Sequence, residues 1–293
     1  MNDGASLAEP PAAPSGDGFL RRALRHPSFA VGGLLTLALL AAALISLVWT
    51  PHPATEIDIP GKLQGPSAVH WFGTDSLGRD IASQLLVGAQ ASIMVGVLAV
   101  LIGFSFGSAL GLLASARRGW VEEAVMRLSD FTFAFPALLS AILLGAIYGP
   151  GLVTGIVAIG LFNVPVFARV TRAAANAIWA REFVLAARAA GKGRWRITVD
   201  HVLPNIASAL IVQATNQFAT AILAEAALSY LGLGTQPPTP SWGRMLNEAQ
   251  TQMFQAPMLA VYPGVAIALA VLGLNLMGDG LRDLLDPKLA RKR

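Results

Sequence analysis

The chain has no cysteine and only four histidines, which excludes disulfides, thiol nucleophiles and thiolate metal sites. Three groupings of reactive or polar residues remain. Gln213, Asn216, Gln217 and Thr220 recur at i, i+3, i+4 and i+7 inside an apolar run, so a helix would align them in one polar stripe. In hydrocarbon such a stripe must face protein or a wet cavity, as the lining of a pathway or a contact with a second subunit. Glu225 follows about 120° away from Gln213 around the same helix. A carboxylate there could serve proton coupling or cation attraction; near the outer end of the run, it is expected simply to reach interface water. His70, Asp75 and Asp80 form the third grouping. Metal ligation is one use for them, but helix caps at Asp75 and Asp80 with a turn at Gly78 account for the string more simply. Gly73 and Gly78 have phosphate-loop spacing, yet Arg79-Asp80 stands where Lys-Ser/Thr is required. The apolar runs contain no Ser/His/Asp or HExxH arrangement, and no Walker A sequence occurs. The expectation is a chain with no catalytic, cofactor-binding or metal residue.

The elements that position these groups are membrane spans. Hydrophobic residues make up 54% and charged residues 13%, against about a quarter charged in soluble domains. Mean hydropathy is +0.58 and the isoelectric point is near 9.8. That basicity does not indicate nucleic acid, because the cations gather in loops beside apolar runs. Six runs are each near the ~20 residues that cross a bilayer core: 29–49, 91–114, 131–148, 152–170, 206–231 and 258–277. Their continuity predicts helices, since barrel strands would alternate. The first run is too long for a signal-peptide core and lacks a clear cleavage site, so it reads as an uncleaved span. With the N-terminus inside, 18 of the 21 Lys and Arg residues fall on the cytoplasmic side, leaving Lys62, Arg79 and Arg244 outside. The fold class is therefore all-α integral membrane, six helices, both termini cytoplasmic. Residues 1–28 form a mostly disordered tail, 29–283 the membrane domain and 284–293 a cytoplasmic tail. All six tryptophans fall at span ends or in loops, where an interfacial belt would place many of them. In the second span Gly103, Gly107 and Gly111 repeat every fourth residue, a spacing that invites close helix packing. Pro136 predicts a kink in the third span.

Between the fourth and fifth spans lies Arg181–Asn205, REFVLAARAAGKGRWRITVDHVLPN. It is too basic to enter hydrocarbon. Helix formers over 180–190 precede Gly191 and Gly193, which suit a left-handed helix end. A second short helix is expected from Arg194 towards Leu203, where Pro204 disfavours helix in the residue before it. This predicts a helical hairpin in the cytoplasm, with small alanines open to another surface.

Ala186-Ala187, Gly191 and His201-Val202-Leu203-Pro204 resemble the EAA loop of ABC-importer permeases, and the H-x-L-P-N ending resembles the dipeptide/oligopeptide/nickel branch. Gly73-Thr74-Asp75 with Leu77-Gly78-Arg79-Asp80, Ala224 to Ser229, and Pro237 to Gly243 continue the likeness. It covers nearly everything except the N-terminal tail. One position departs: Leu185 replaces the glutamate that names the motif, with Glu182 one turn earlier. The resemblance implies a type I ABC-importer permease fold in a bacterial inner membrane. It also implies two ATPase subunits carrying ATP and Mg, a sister permease (paralogous, or an identical copy) and an extracytoplasmic substrate-binding protein. Glu182, Ala186, Ala187, Gly191, His201, Leu203 and Pro204 would then shape the ATPase-coupling loop, and Gln213, Asn216, Gln217, Thr220 and Glu225 the pathway or permease interface. The implied activity is transport of peptides or related solutes without catalysis by this chain. A self-sufficient proton-coupled transporter using Glu225 is the alternative, for which a large cytoplasmic hairpin is superfluous.

Overall fold

The computed structural model describes residues 23–285. The tail expected over 1–28 lies outside these up to residue 22, as do residues 286–293 at the other end. The described residues are helical apart from turns and one isolated bridge, Thr74–Asp80. We number the helices α1 (Pro27–Ile45), α2 (Ile81–Arg117), α3 (Trp120–Ala134), α4 (Ala137–Tyr148), α5 (Leu152–Trp179), α6 (Glu182–Ala189), α7 (Arg194–Tyr230), α8 (Trp242–Ala249) and α9 (Met258–Leu285). Five of them (α1, α2, α5, α7 and α9) are long and apolar enough to cross a membrane, and the bent pair α3–α4 makes a sixth span if counted as one.

Several boundaries differ from the sequence expectation, each for a local reason. α2 starts at Ile81 rather than near residue 91, because Asp80 caps it: its carboxylate accepts from Ser83 N at 2.8 Å. At 37 residues, or about 55 Å, α2 and α7 each exceed the ~30 Å hydrocarbon thickness. The kink expected at Pro136 is a full break of 82° between α3 and α4. Phe135, preceding the proline, is extended (φ −97°, ψ 129°), as the Pro ring requires of its neighbour. The helix expected to stop at Leu203 instead runs on through Pro204 to Tyr230. A π turn over Thr198–Val202 lies one turn before the proline, where its ring and missing N–H would disturb a regular ladder, and the helix widens there rather than ending. Gly191 is left-handed (φ +81°), but Gly193 is extended and begins α7.

Packing concentrates on α7, which touches α2, α5, α8 and α9, while α1 lies along α9. The Gly103, Gly107 and Gly111 face of α2 packs on α5 of the same chain. A Cβ at Gly107 would lie 2.4 Å from the Val164 carbonyl oxygen, and one at Gly111 would lie 2.5 Å from that of Ala168. A Cβ at Gly103 would lie 2.3 Å from Asn163 Cβ, so all three sites are closed by backbone or Cβ atoms that have no rotamer to yield. Trp179 and Trp242 are buried in the protein, unlike an interfacial belt, whereas Trp49, Trp71, Trp120 and Trp195 are exposed.

Gly107→Leu is therefore expected to force α2 and α5 apart. Overpacking of this kind costs about 1–3 kcal/mol, more where backbone blocks the side chain. Gly33→Ala, with nothing within 4 Å of the added methyl, should leave thermal unfolding in detergent unchanged. Equal melting of both variants would remove the glycine face from the packing scheme.

Candidate functional site

The cytoplasmic hairpin is built as one rigid piece. α5 carries the chain past the apolar layer to Trp179, and Arg181 turns it into α6. α6 ends in a Schellman motif: Lys192 N donates to Ala187 O at 3.1 Å and Gly191 N donates to Arg188 O at 3.0 Å. The return arm is the first part of α7. Val184, Ile197 and Val202 are fully buried and form one apolar cluster with Ala175, Trp179, Ile206 and Leu210. Lys192 holds the arms together at the tip, 3.5 Å from Asp200 Oδ2 and 3.1 Å from His201 Nε2. Asn205 Nδ2 donates to the His201 carbonyl at 2.7 Å.

Of the hairpin residues singled out by sequence, Ala187 faces inward against this cluster, and His201 is half-buried between the arms. Glu182, Ala186, Gly191, Leu203 and Pro204 are exposed. The hairpin also exposes apolar side chains at positions the sequence expectation did not single out. Phe183, Leu185 and Trp195 are 46%, 51% and 77% exposed, and Val199 joins them. Leu185 thus puts an isobutyl group into solvent where the motif of similar loops carries a carboxylate. The hairpin also carries Arg181, Arg188, Arg194 and Arg196, all exposed. Their charge keeps the hairpin out of hydrocarbon, so these apolar side chains stand exposed to water in the single chain.

The polar stripe of α7 does not face a single space. Gln213 and Asn216 border an open groove of about 470 Å³ between α7 and the end of α9, together with Ser208 and Arg282. Gln217 is buried. Thr220 lines a separate, mostly apolar groove of about 420 Å³ between α4, α5 and α7. Glu225 belongs to neither groove. The expectation that it reaches interface water is incorrect: Glu225 is 2% exposed, because α2 and the loop after α7 close over it. Ser229 Oγ donates to its Oε1 at 2.7 Å, Ser92 Oγ lies 3.4 Å from its Oε2, and Thr235 Oγ1 lies 3.5 Å from its Oε1. The adjoining void of about 10 Å³ has room for roughly one water molecule.

On the outer side, Gly73-Thr74-Asp75 to Asp80 folds as the turn-and-cap unit expected, with Gly73 and Gly78 both at positive φ. Asp75 Oδ1 accepts from Leu77 N and Arg79 N, while its Oδ2 accepts from Arg79 Nε at 2.6 Å and Gln84 Nε2 at 2.9 Å. Sequence reading missed where Arg79 goes next. It pairs with Glu248 of α8, which Arg244 also holds through Nε at 2.8 Å. Burial alone would lower the pKa of Arg79; the Asp75 and Glu248 carboxylates outweigh it and hold the guanidinium above its ordinary value. The chain Asp75–Arg79–Glu248–Arg244 thus locks the first outer loop to the last. The only hint in the sequence was that Arg79 and Arg244 are two of the three outer cations. α8 buries Trp242 and Met245 against the bundle. Trp242 Nε1 donates to Leu85 O at 2.9 Å.

These features define a multi-span helical membrane protein whose most developed water-facing element is a basic helical hairpin. The family model for the binding-protein-dependent transport system inner membrane component matches residues 103–291, and the chain belongs to that family. A glutathione transport system permease protein, GsiD, of Pectobacterium atrosepticum is 43% identical over 272 residues, covering 92% of this chain and 90% of its own length. The GsiD of Escherichia coli O157:H7 is 44% identical over the same shares. A dipeptide transport system permease protein, DppC, of Alkalihalophilus pseudofirmus is 43% identical over 267 residues, covering 91% and 88%. A chain of the MetNI methionine ABC transporter superposes with a TM-score of 0.58 at 19% identity, covering 69% of this chain and 97% of its own, a likeness of fold alone. The protein is a permease subunit of an ABC importer in the dipeptide/oligopeptide branch and is not itself an enzyme. It associates with separate ATPase subunits and a substrate-binding protein.

The outer ion network generates one expectation. Arg79→Ala would leave Asp75 and Glu248 without their shared cation, costing about 3 kcal/mol, the lower end for a buried pair because Glu248 keeps some contact with water. Thermal unfolding of the purified chain should register that loss, with Glu248→Gln milder. An unchanged melting temperature for Arg79→Ala would show that the two outer loops are held by packing alone.

Proposed function

We propose that this chain forms one half of the translocation pathway of a bacterial inner-membrane importer for short peptides, dipeptides or glutathione among them. A paralogous permease supplies the other half, and one ATPase docks on the hairpin of each. ATP and Mg are held by those partners. The substrate class rests on what the similar permeases are named for, since nothing in the spans selects one solute.

The observation that supports this reading is the hairpin: a cationic, internally packed unit that leaves Phe183, Leu185 and Trp195 exposed to water. Because Val184 and Ile197 fix it to α5 and α7, a pull on the hairpin moves both helices rather than bending a loop. α5 and α7 both border the groove that contains Thr220, and α7 also borders the groove of Gln213 and Asn216. Closure of the ATPases would shift these walls and turn the cavity outward, where the binding protein delivers its cargo; hydrolysis would reset it. The Glu225 site gives the proton-coupled alternative no support, because the carboxylate is enclosed by hydroxyls and faces neither groove.

Two measurements test the reading. Gly191→Pro cannot adopt φ near +81°, so it should disrupt the end of α6 and abolish substrate-stimulated ATPase activity and uptake, while the chain still inserts and assembles with its sister permease. Normal uptake by this variant would refute the lever role. Separately, vesicles containing the permease pair without ATPase subunits should show no uptake with or without a proton gradient; gradient-driven uptake there would favour the self-sufficient transporter.

A further inference from the structure

The outer loop brings together two histidines that are 18 residues apart in sequence and an aspartate at the start of α2. His52, His70 and Asp80 each offer a ligand atom within 4.8 Å of the others, and the two imidazole centroids lie 4.5 Å apart. Asp75, grouped with His70 in the sequence, is committed instead to Arg79 and Gln84. His52 Nε2 lies 2.9 Å from the Val69 carbonyl, which can only accept, so this nitrogen carries the proton and Nδ1 keeps its lone pair. His70 Nδ1 lies 2.9 Å from Asp80 Oδ1 and donates to the carboxylate, which frees Nε2. Asp80 is buried and its other oxygen takes Ser83 N and Oγ, so its position is fixed. A metal-binding imidazole ordinarily donates its second N–H to a carboxylate or backbone carbonyl, and here both imidazoles do.

We propose that His52 and His70, oriented by Val69 O and Asp80, hold a divalent ion of the zinc class on the outer face of this permease. Two imidazoles without thiolates suit a borderline cation rather than a soft one, and leave coordination positions for water or a donor from outside. Nitrogen ligands at about 2.0–2.1 Å in a tetrahedral site lie roughly 3.3 Å apart, the spacing that His52 Nδ1 and His70 Nε2 must reach when the ion binds. Both residues are only half-buried and sit on loop backbone, which permits that adjustment. The ion would staple the loop to the cap of α2, because His52 N already donates to Ser83 Oγ at 3.0 Å. Its occupancy would stiffen the surface that meets an external partner.

The test is calorimetric titration of Zn²⁺ into the full chain in nanodiscs, with any affinity tag removed. Emission from the neighbouring Trp49–Trp71 pair, 6.3 Å between centroids, serves as a second readout. One ion per chain is expected at pH 7.5, with a concurrent change in emission. His52→Ala and His70→Ala should abolish this binding. Asp80→Asn, which still caps α2, should weaken it by about 10–100-fold. Should a variant fail to elute as a single species, the native chain still decides, because stoichiometric Zn²⁺ binding and its emission change must reverse when EDTA strips the ion. Absence of stoichiometric binding, equal affinity in the histidine variants, or an emission change that EDTA does not reverse would overturn the proposal.

Discussion

Charge that cannot enter hydrocarbon sets the architecture of this protein. Arg181, Arg188, Lys192, Arg194 and Arg196 stand within 16 residues of one another between two apolar helices, and no arrangement of the bundle can bury them in lipid. The hairpin is therefore held in water on the side where the other basic loops lie, and the direction of every span follows. The same charge explains how the hairpin can carry bare apolar side chains. Phe183, Leu185 and Trp195 would sink into a bilayer if they were not surrounded by arginines, so the cations make an apolar docking face possible beside a membrane.

A docking face transmits force only if the element beneath it does not yield. Here the turn is closed by a Schellman motif, the tip is tied through Lys192, and the interior is filled by Val184, Ile197 and Val202. The decisive feature is the passage through Pro204. Had the helix ended there, the hairpin would join the fifth span by a flexible corner. The π turn over Thr198–Val202 lets the helix continue, so the docking arm and the span are one body of 37 residues.

Much of this was legible in the sequence, and what was not has identifiable causes. Hydropathy and the Lys/Arg distribution located the spans because the bilayer imposes a strong, local and one-dimensional signal. Gly191 and Asp80 were readable because helix ends have residue-specific chemistry. The continuity of α7 was missed because a proline signals a helix stop, while a π turn has no comparable residue signature. The 82° break at Pro136 was underestimated for the complementary reason: proline marks the place, but neighbouring packing decides between a kink and a break. Glu225 was misplaced because its cover comes from α2 and from a loop that folds back, contacts that no local pattern encodes. The pairing of Arg79 with Glu248 joins residues 169 apart, a separation that no local sequence pattern encodes.

The two ends of α7 now bear on one another. Its inner end is the hairpin. Near its outer end Ser229 and Glu225 hold Thr235, and Asn247 of α8 donates to the Tyr230 carbonyl at 2.7 Å. From α8 the ion network leads through Glu248 and Arg79 to the cap of α2, whose glycine face packs on α5. α5 returns to the hairpin. The contacts therefore form a closed circuit of helices and outer loops, against which the broken pair α3–α4 packs from outside through α5. On the proposed lever reading, a displacement imposed at the hairpin would be passed along this circuit towards the outer lock. The grooves are lined by Thr220 and Phe162 on one side and by Gln213 and Asn216 on the other. Under the proposed function, a pathway formed from these grooves would lie between the hairpin-driven circuit and the break at Pro136, where a pull from the cytoplasm could change its shape.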